Sequence, residues 1–167
     1  MRKIVRLAIG LVGFACAAGI YAVVAAAQTS NSLVGTWNLV SLTYDQNGTP
    51  TKPYGDSPKG IQILGSDGRV VVILLKPDLP KFASNNRVTG TPEENKAVVQ
   101  GSLAYFGTYS VNDADKTISV QIDAATFPNW MGQSQKRAFT IKGDELTVTN
   151  TMSTVGLPSV TVWRRAK

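Results

Sequence analysis

From Tyr105 to the end of the chain, apolar side chains recur at every second position in short runs, and each run stops at a turn signal. A β-strand sends successive side chains to opposite faces, so this period suits a half-buried strand and does not suit a helix. Tyr105–Val111 and Thr117–Asp123 flank the turn Asn112-Asp113-Ala114-Asp115-Lys116. Gln133–Lys142 and Glu145–Met152 flank Gly143-Asp144, and Ser159–Arg165 follows a turn at Ser153–Pro158. Strands this close along the chain pair as antiparallel hairpins.

The preceding stretch continues the pattern. Val34–Thr43 is rich in β-branched and aromatic residues and reads as a strand, followed by Tyr44–Pro58, a long loop with three prolines and two glycines. Gly60–Leu64 and Val70–Lys76 are joined by Ser66-Asp67-Gly68-Arg69, whose Asp-Gly step is a hairpin signal. Pro77–Gly90 is irregular. Thr91-Pro92-Glu93-Glu94 sets an N-cap, a first-turn proline and a capping-box glutamate in order, which predicts one helix ending at about Leu103. Ala124–Gly132 is a further loop. The expected fold is mainly β: eight antiparallel strands with one short helix. Eight sequential strands close readily into a barrel because closure removes the unpaired edges. An open sandwich is the alternative.

The first residues form a separate unit. Met1–Arg6 is basic, Leu7–Val24 is apolar and uncharged, and Ala25-Ala26-Ala27 offers the small residues of a cleavage site. Residues 1–27 are therefore expected to be a signal peptide and residues 28–167 the domain, periplasmic or secreted. An uncleaved membrane anchor and lipid attachment at Cys16 are the rivals, the second weakened by Gly13-Phe14-Ala15 before the cysteine. Three of the 17 basic residues fall in this leader and none of the 11 acids does, so the remainder carries a net charge of +3. Such a balance, with few adjacent cations, points away from nucleic acid. The chain has no histidine, and Cys16 is its one cysteine. A Ser-His-Asp triad, a Cys-His pair, a Cys/His zinc site and an intrachain disulfide are thereby excluded, and no cofactor is expected.

Several landmarks occur in a familiar order. Leu33-Val34-Gly35-Thr36-Trp37-Asn38-Leu39 opens the domain, and Tyr54-Gly55 and Pro58-Lys59-Gly60 precede the second strand. Leu103-Ala104-Tyr105-Phe106-Gly107-Thr108-Tyr109 follows the helix, Pro128-Asn129-Trp130-Met131-Gly132 precedes Gln135–Phe139, and Val162-Trp163-Arg164-Arg165 closes the chain. The set resembles the lipocalin-like domain family of bacteria and fungi over Leu33–Arg165. The resemblance implies a calycin-type barrel with an internal cavity and no defined activity. It also implies that Trp37 is covered by a cation from the last strand, assigned here to Arg164, although strand parity does not tell it from Arg165. Relatives often carry a histidine where this chain has Gln121, so a role needing that proton is in doubt here.

Strand parity nominates the inward residues. Ile118, Val120 and Ile122 share a face, as do Gln135, Arg137, Phe139 and Ile141, and Leu146, Val148, Asn150 and Met152. Arg137 is the conspicuous member, because a buried guanidinium needs a partner. It either holds a ligand anion, or pairs with a protein carboxylate, or is turned outward by a bulge. Tyr105 and Tyr109, with Gly107 between them, are phenol donors lining the cavity or core aromatics. Trp130 and Phe127 gate a barrel mouth or anchor a loop. Tyr105, Tyr109, Trp130, Arg137, Phe139 and Asn150 are thus the expected ligand-binding set, with no catalytic residue and no metal ligand among them.

The leading expectation is a monomeric binding module for a small, mostly apolar or amphipathic ligand, in a cavity of a few hundred Å3. A calycin-type isomerase or cyclase and an envelope interaction protein with a filled barrel are the alternatives. Membrane contact is expected through an uncleaved leader alone.

Overall fold

A computed structural model describes residues 32–167; the leader and its cleavage site lie outside the described residues. The strands are β1 (Gly35–Gln46), β2 (Thr49–Thr51), β3 (Lys59–Leu64), β4 (Arg69–Leu75), β5 (Ser102–Asn112), β6 (Thr117–Ala125), β7 (Ser134–Lys142), β8 (Glu145–Asn150) and β9 (Ser159–Arg165). One helix, α1 (Pro92–Gly101), separates β4 from β5. From β3 to β9 each strand pairs antiparallel with the next, and β1 pairs with both β3 and β9, which closes an eight-stranded barrel. The three-residue β2 stands outside it, paired with the end of β1 alone.

Four differences from the sequence reading have local causes. The loop expected from Tyr44 begins with a hairpin: Asn47 and Gly48 adopt φ of 55° and 82°, the left-handed pair that a type I′ turn requires. The helix stops at Gly101, two residues short of Leu103, and β5 takes over at Ser102. Its start is as expected: Thr91 and Glu94 exchange both capping-box bonds, at 3.2 and 2.8 Å. β8 ends at Asn150, so Met152 lies in the following loop, 67% exposed, and not on the inward face. β1 carries a bulge between Leu39 and Ser41, where Val40 is the extra residue. The bulge flips parity, so the inward series Trp37, Leu39 continues as Leu42, Tyr44.

The two ends of the barrel differ. Three tight turns, 65–68, 113–116 and 143–144, close the lower end. Four longer connections, 47–58, 76–101, 126–133 and 151–158, crowd the upper end. The lower half is filled. Trp37, Trp163, Leu64, Ile122 and Leu146 are fully buried there, and the Trp37 indole donates to Leu33 O at 2.9 Å. Arg165, not Arg164, lies over the Trp37 ring at 4.1 Å, and its Nη1 donates to Val34 O at 2.9 Å. Arg164 faces out towards Glu145. Side chains as large as these, packed from both walls of an eight-stranded barrel, leave little space between them. The larger space inside the barrel is in its upper half.

Candidate functional site

The upper half encloses a chamber of about 50 Å3. Leu42, Leu74, Leu103 and Val148 form its apolar wall, and Tyr105 and Trp130 its aromatic one. Tyr44, Ser153, Thr154, Ser159 and Thr161 add hydroxyls to the lining. Gln62, Arg137 and Asn150 supply the remaining polar surface. A void of about 10 Å3 continues beneath Arg137. Above, a wider vestibule of about 400 Å3 opens to solvent between loops 126–133 and 151–158. It shares Trp130, Asn150, Ser153 and Thr154 with the chamber, so these four residues form the neck between the two spaces.

The cavity of a few hundred Å3 expected inside the barrel is thus divided. A small part lies within the walls and a large, more open part at the mouth. The cause is Arg137 and Trp130, whose bulk fills the middle of the upper half.

Arg137 reaches the chamber by strand alternation in β7, where it and Phe139 are buried while Lys136, Ala138 and Thr140 face out. It is 9% exposed. Its Nη2 donates to Gln135 Oε1 at 2.7 Å, and its Nη1 donates to the Tyr105 hydroxyl. The guanidinium also stands 5.0 Å from the Tyr105 ring and 5.7 Å from the Trp130 ring. Trp130 meets Tyr105 edge to face at 5.8 Å, and Phe127 braces Trp130 at 6.0 Å.

No carboxylate completes this arrangement. All 11 acidic residues lie among the described residues, and none lines the chamber or forms an ion pair with Arg137. The Arg137 Nε is buried with no hydrogen-bond partner. A guanidinium cannot shed its proton in a protein, so burial leaves it charged. Desolvating such an ion costs several kcal/mol, roughly, and ring contacts return about 0.5–2 kcal/mol each. Neither of the simpler fates considered for Arg137, a protein carboxylate or an outward turn, is what the fold provides.

Two neighbours share the same unmet capacity. The Tyr105 oxygen accepts from Arg137, which leaves its own hydrogen free to point elsewhere. Gln62 is 6% exposed and faces the chamber, and among the described residues its carboxamide has no hydrogen-bond partner. Tyr44 also lines the chamber. Burial raises the Tyr44 phenol above the ordinary range, and pushes Tyr54 behind it up to about 12. At neutral pH both are protonated, so Tyr44 presents a donor and not a base.

The neck is anchored at both sides. Pro128–Trp130 forms a single 3-10 turn, in which Trp130 N donates to Phe127 O and Met131 N to Pro128 O, both at 3.0 Å. Gln121 Nε2 donates to Gly132 O at 3.1 Å and ties the loop to β6. On the facing loop, Ser153 N donates to Leu157 O at 2.8 Å, and Met152 N to Asn150 Oδ1 at 3.2 Å.

Of the six residues expected to bind a ligand, Tyr105, Trp130, Arg137 and Asn150 meet around the chamber. Tyr109 does not line it: its hydroxyl donates to Gly65 O at 2.9 Å and latches the β3–β4 turn at the lower end. Phe139 is 2% exposed and belongs to the packed core below. Sequence parity missed Gln62, because the apolar Ile61 and Ile63 of β3 face out while Gln62 faces in. It missed Tyr44 because the sequence reading ends the first strand at Thr43, whereas β1 runs on to Gln46, past a bulge that turns Tyr44 inward. On the outer wall, Ile63, Val71 and Phe106 stand side by side across β3, β4 and β5, next to a shallow groove of about 320 Å3.

A lipocalin-like domain model matches residues 34–166, nearly the whole of the described chain. The chain belongs to the lipocalin-like domain family. This lipocalin-like chain is 28% identical over 102 residues to the 4′-hydroxy-3′-methoxypropiophenone carrier protein ppsC of Aspergillus oryzae, an alignment covering 55% of this chain and 92% of that protein. Among solved structures, two variants of the fluorescent protein UnaG align with the lipocalin-like barrel at 15% identity. The asparagine-to-glutamine variant has a TM-score of 0.38 over 82% of this chain and 98% of its own. The asparagine-to-alanine variant has a TM-score of 0.37 over 83% and 99%.

Proposed function

We propose that this lipocalin-like domain is a carrier that binds a small, mostly apolar molecule at the upper end of its barrel. The observation that carries the reading is the continuity of chamber and vestibule through Trp130, Asn150, Ser153 and Thr154. A concave, largely apolar space with a few convergent polar groups is the usual form of a small-molecule site. Its position where four long loops meet on a rigid barrel is where binding function usually resides. The family relationship to a protein named as a carrier supports the same reading. Tyr105, Trp130, Arg137 and Asn150 are the proposed contact residues. Tyr109 and Phe139 are not among them. The domain acts as a monomer, and the leader of residues 1–27 directs it to the periplasm or the medium.

Native mass spectrometry of the protein taken from the cell that makes it tests the reading. A stoichiometric adduct released by organic solvent is expected, and it should be absent from a Thr154→Trp variant whose added ring fills the neck. A bare polypeptide mass in the wild type would contradict the carrier reading. The intact mass reports the leader as well: loss of residues 1–27 is expected, and an unprocessed N-terminus would contradict export by cleavage.

A further inference from the structure

We infer that the molecule taken up is an anion that binds head first, its carboxylate-sized charged group in the chamber on Arg137 and its apolar body in the vestibule. The inference rests on the carrier reading and specifies the class and orientation of its ligand.

Charge is the first ground. Arg137 is more than nine-tenths buried, and its Nε–H has no partner. Neither the chamber nor the vestibule is lined by a carboxylate. A neutral ligand would leave that cation uncompensated, and would make weaker hydrogen bonds than a charged acceptor does.

Donor geometry is the second. The Arg137 Nε–H, the Tyr105 hydroxyl hydrogen and the Gln62 amide all belong to groups that line the same chamber. None of them has an acceptor there, and a carboxylate has lone pairs for about four. A head group made only of donors, such as an ammonium, would oppose every one of them.

Size is the third and sets the orientation. A water needs about 10–15 Å3 of cavity volume, so a chamber of about 50 Å3 holds a carboxylate or a few waters, and no alkyl chain or ring. The vestibule of about 400 Å3 falls within the usual range for small ligands. Trp130 and Phe127 line it with aromatic surface. The tail of the ligand therefore stays outside the neck while its head passes it.

The test is calorimetric titration of the delipidated protein with two matched pairs, dodecanoate with dodecanol and 4-phenylbutyrate with 4-phenylbutanol. At least one carboxylate should bind roughly thirtyfold more tightly than its alcohol, the usual range for a buried charged hydrogen bond. In Arg137→Gln that preference should fall to about threefold or less. Gln62→Leu, which leaves the cation in place, should weaken the carboxylate several-fold and the alcohol little. Geminal dimethylation beside the carboxylate should abolish binding, whereas the same addition at the far end of the tail should be tolerated. Equal affinity for carboxylate and alcohol would overturn the inference and leave the carrier reading standing. Failure of all four compounds in the wild type, with no adduct in native mass spectrometry, would overturn both.

Discussion

The Arg137 guanidinium donates to the hydroxyl of Tyr105 and at the same time stands 5.0 Å from the centre of the same ring. One phenol thus serves the cation at both its edge and its face. This contact orients the arginine across the barrel but brings it no negative charge. The cation is held, and its charge is left for something else to answer.

That difference has a consequence for stability. Replacing a buried ionic group by an apolar one of similar volume is often neutral or stabilising. Arg137→Met should therefore leave the unfolding free energy unchanged or raise it by up to about 2 kcal/mol, measured by urea denaturation, while ligand binding is lost. A fall of more than about 3 kcal/mol would show that the guanidinium holds the barrel together.

The two neighbouring arginines of β9 should behave differently. Arg165 covers Trp37, donates to the Val34 and Ser32 carbonyls and lies 3.7 Å from Asp144. Arg165→Ala should cost about 2–3 kcal/mol in urea denaturation. Arg164 makes an exposed ion pair with Glu145 at 3.9 Å, and Arg164→Ala should cost under about 0.5 kcal/mol. Equal effects would contradict the closure assigned to Arg165.

Gly107 lies at the β5–β6 bulge, where the pairing steps from Phe106↔Ala124 to Gly107↔Ile122. A Cβ there would come within 1.9 Å of Gln121 O, a backbone atom that cannot swing aside. Gly107→Ala should destabilise the barrel by about 3 kcal/mol or more, near the upper end of single-site effects. Soluble yield and the thermal midpoint by circular dichroism are the readouts, and a midpoint like the wild type's would contradict the close approach.

Alkaline pH should weaken the fold through its phenols. Tyr54 is pushed up to about 12 by burial, and Tyr44 and Tyr109 are raised in the same direction. Above the ordinary tyrosine value near 10, the unfolded chain loses these protons while the folded chain keeps them. The native state then binds more protons, so stability is full below about pH 10 and falls as pH rises towards 12. Urea midpoints across that window should fall, and Tyr54→Phe should make the decline shallower. An unchanged slope would contradict the assignment to Tyr54.

The barrel is legible in the sequence because β-strand alternation and turn residues coincide at nearly every boundary, from Asp67-Gly68 to Gly143-Asp144. The same alternation places Arg137, Tyr105 and Asn150 inside. It fails where the backbone departs from strict period two. The bulge at Val40 turns Tyr44 inward, and the end of β8 at Asn150 releases Met152 to solvent. Gln62 escapes because its apolar neighbours Ile61 and Ile63 cover the outer wall, and a hydrophobic pattern names the buried face only when the other face is polar. Tyr109 shares its face with Tyr105 but sits about one turn-length further down β5, at the closed end, and alternation carries no information about height along a barrel. The size of the chamber depends on how Arg137 and Trp130 meet beside it, a relation between distant segments that no local pattern encodes.

A crystal structure of the domain soaked with dodecanoate or 4-phenylbutyrate addresses the site most directly. A carboxylate oxygen is expected about 2.7–2.9 Å from a nitrogen of the Arg137 guanidinium, with the apolar body leaving past Trp130 into the vestibule. Density for the probe in the outer groove of Val71, Ile73 and Phe106, with water alone beside Arg137, would contradict the account.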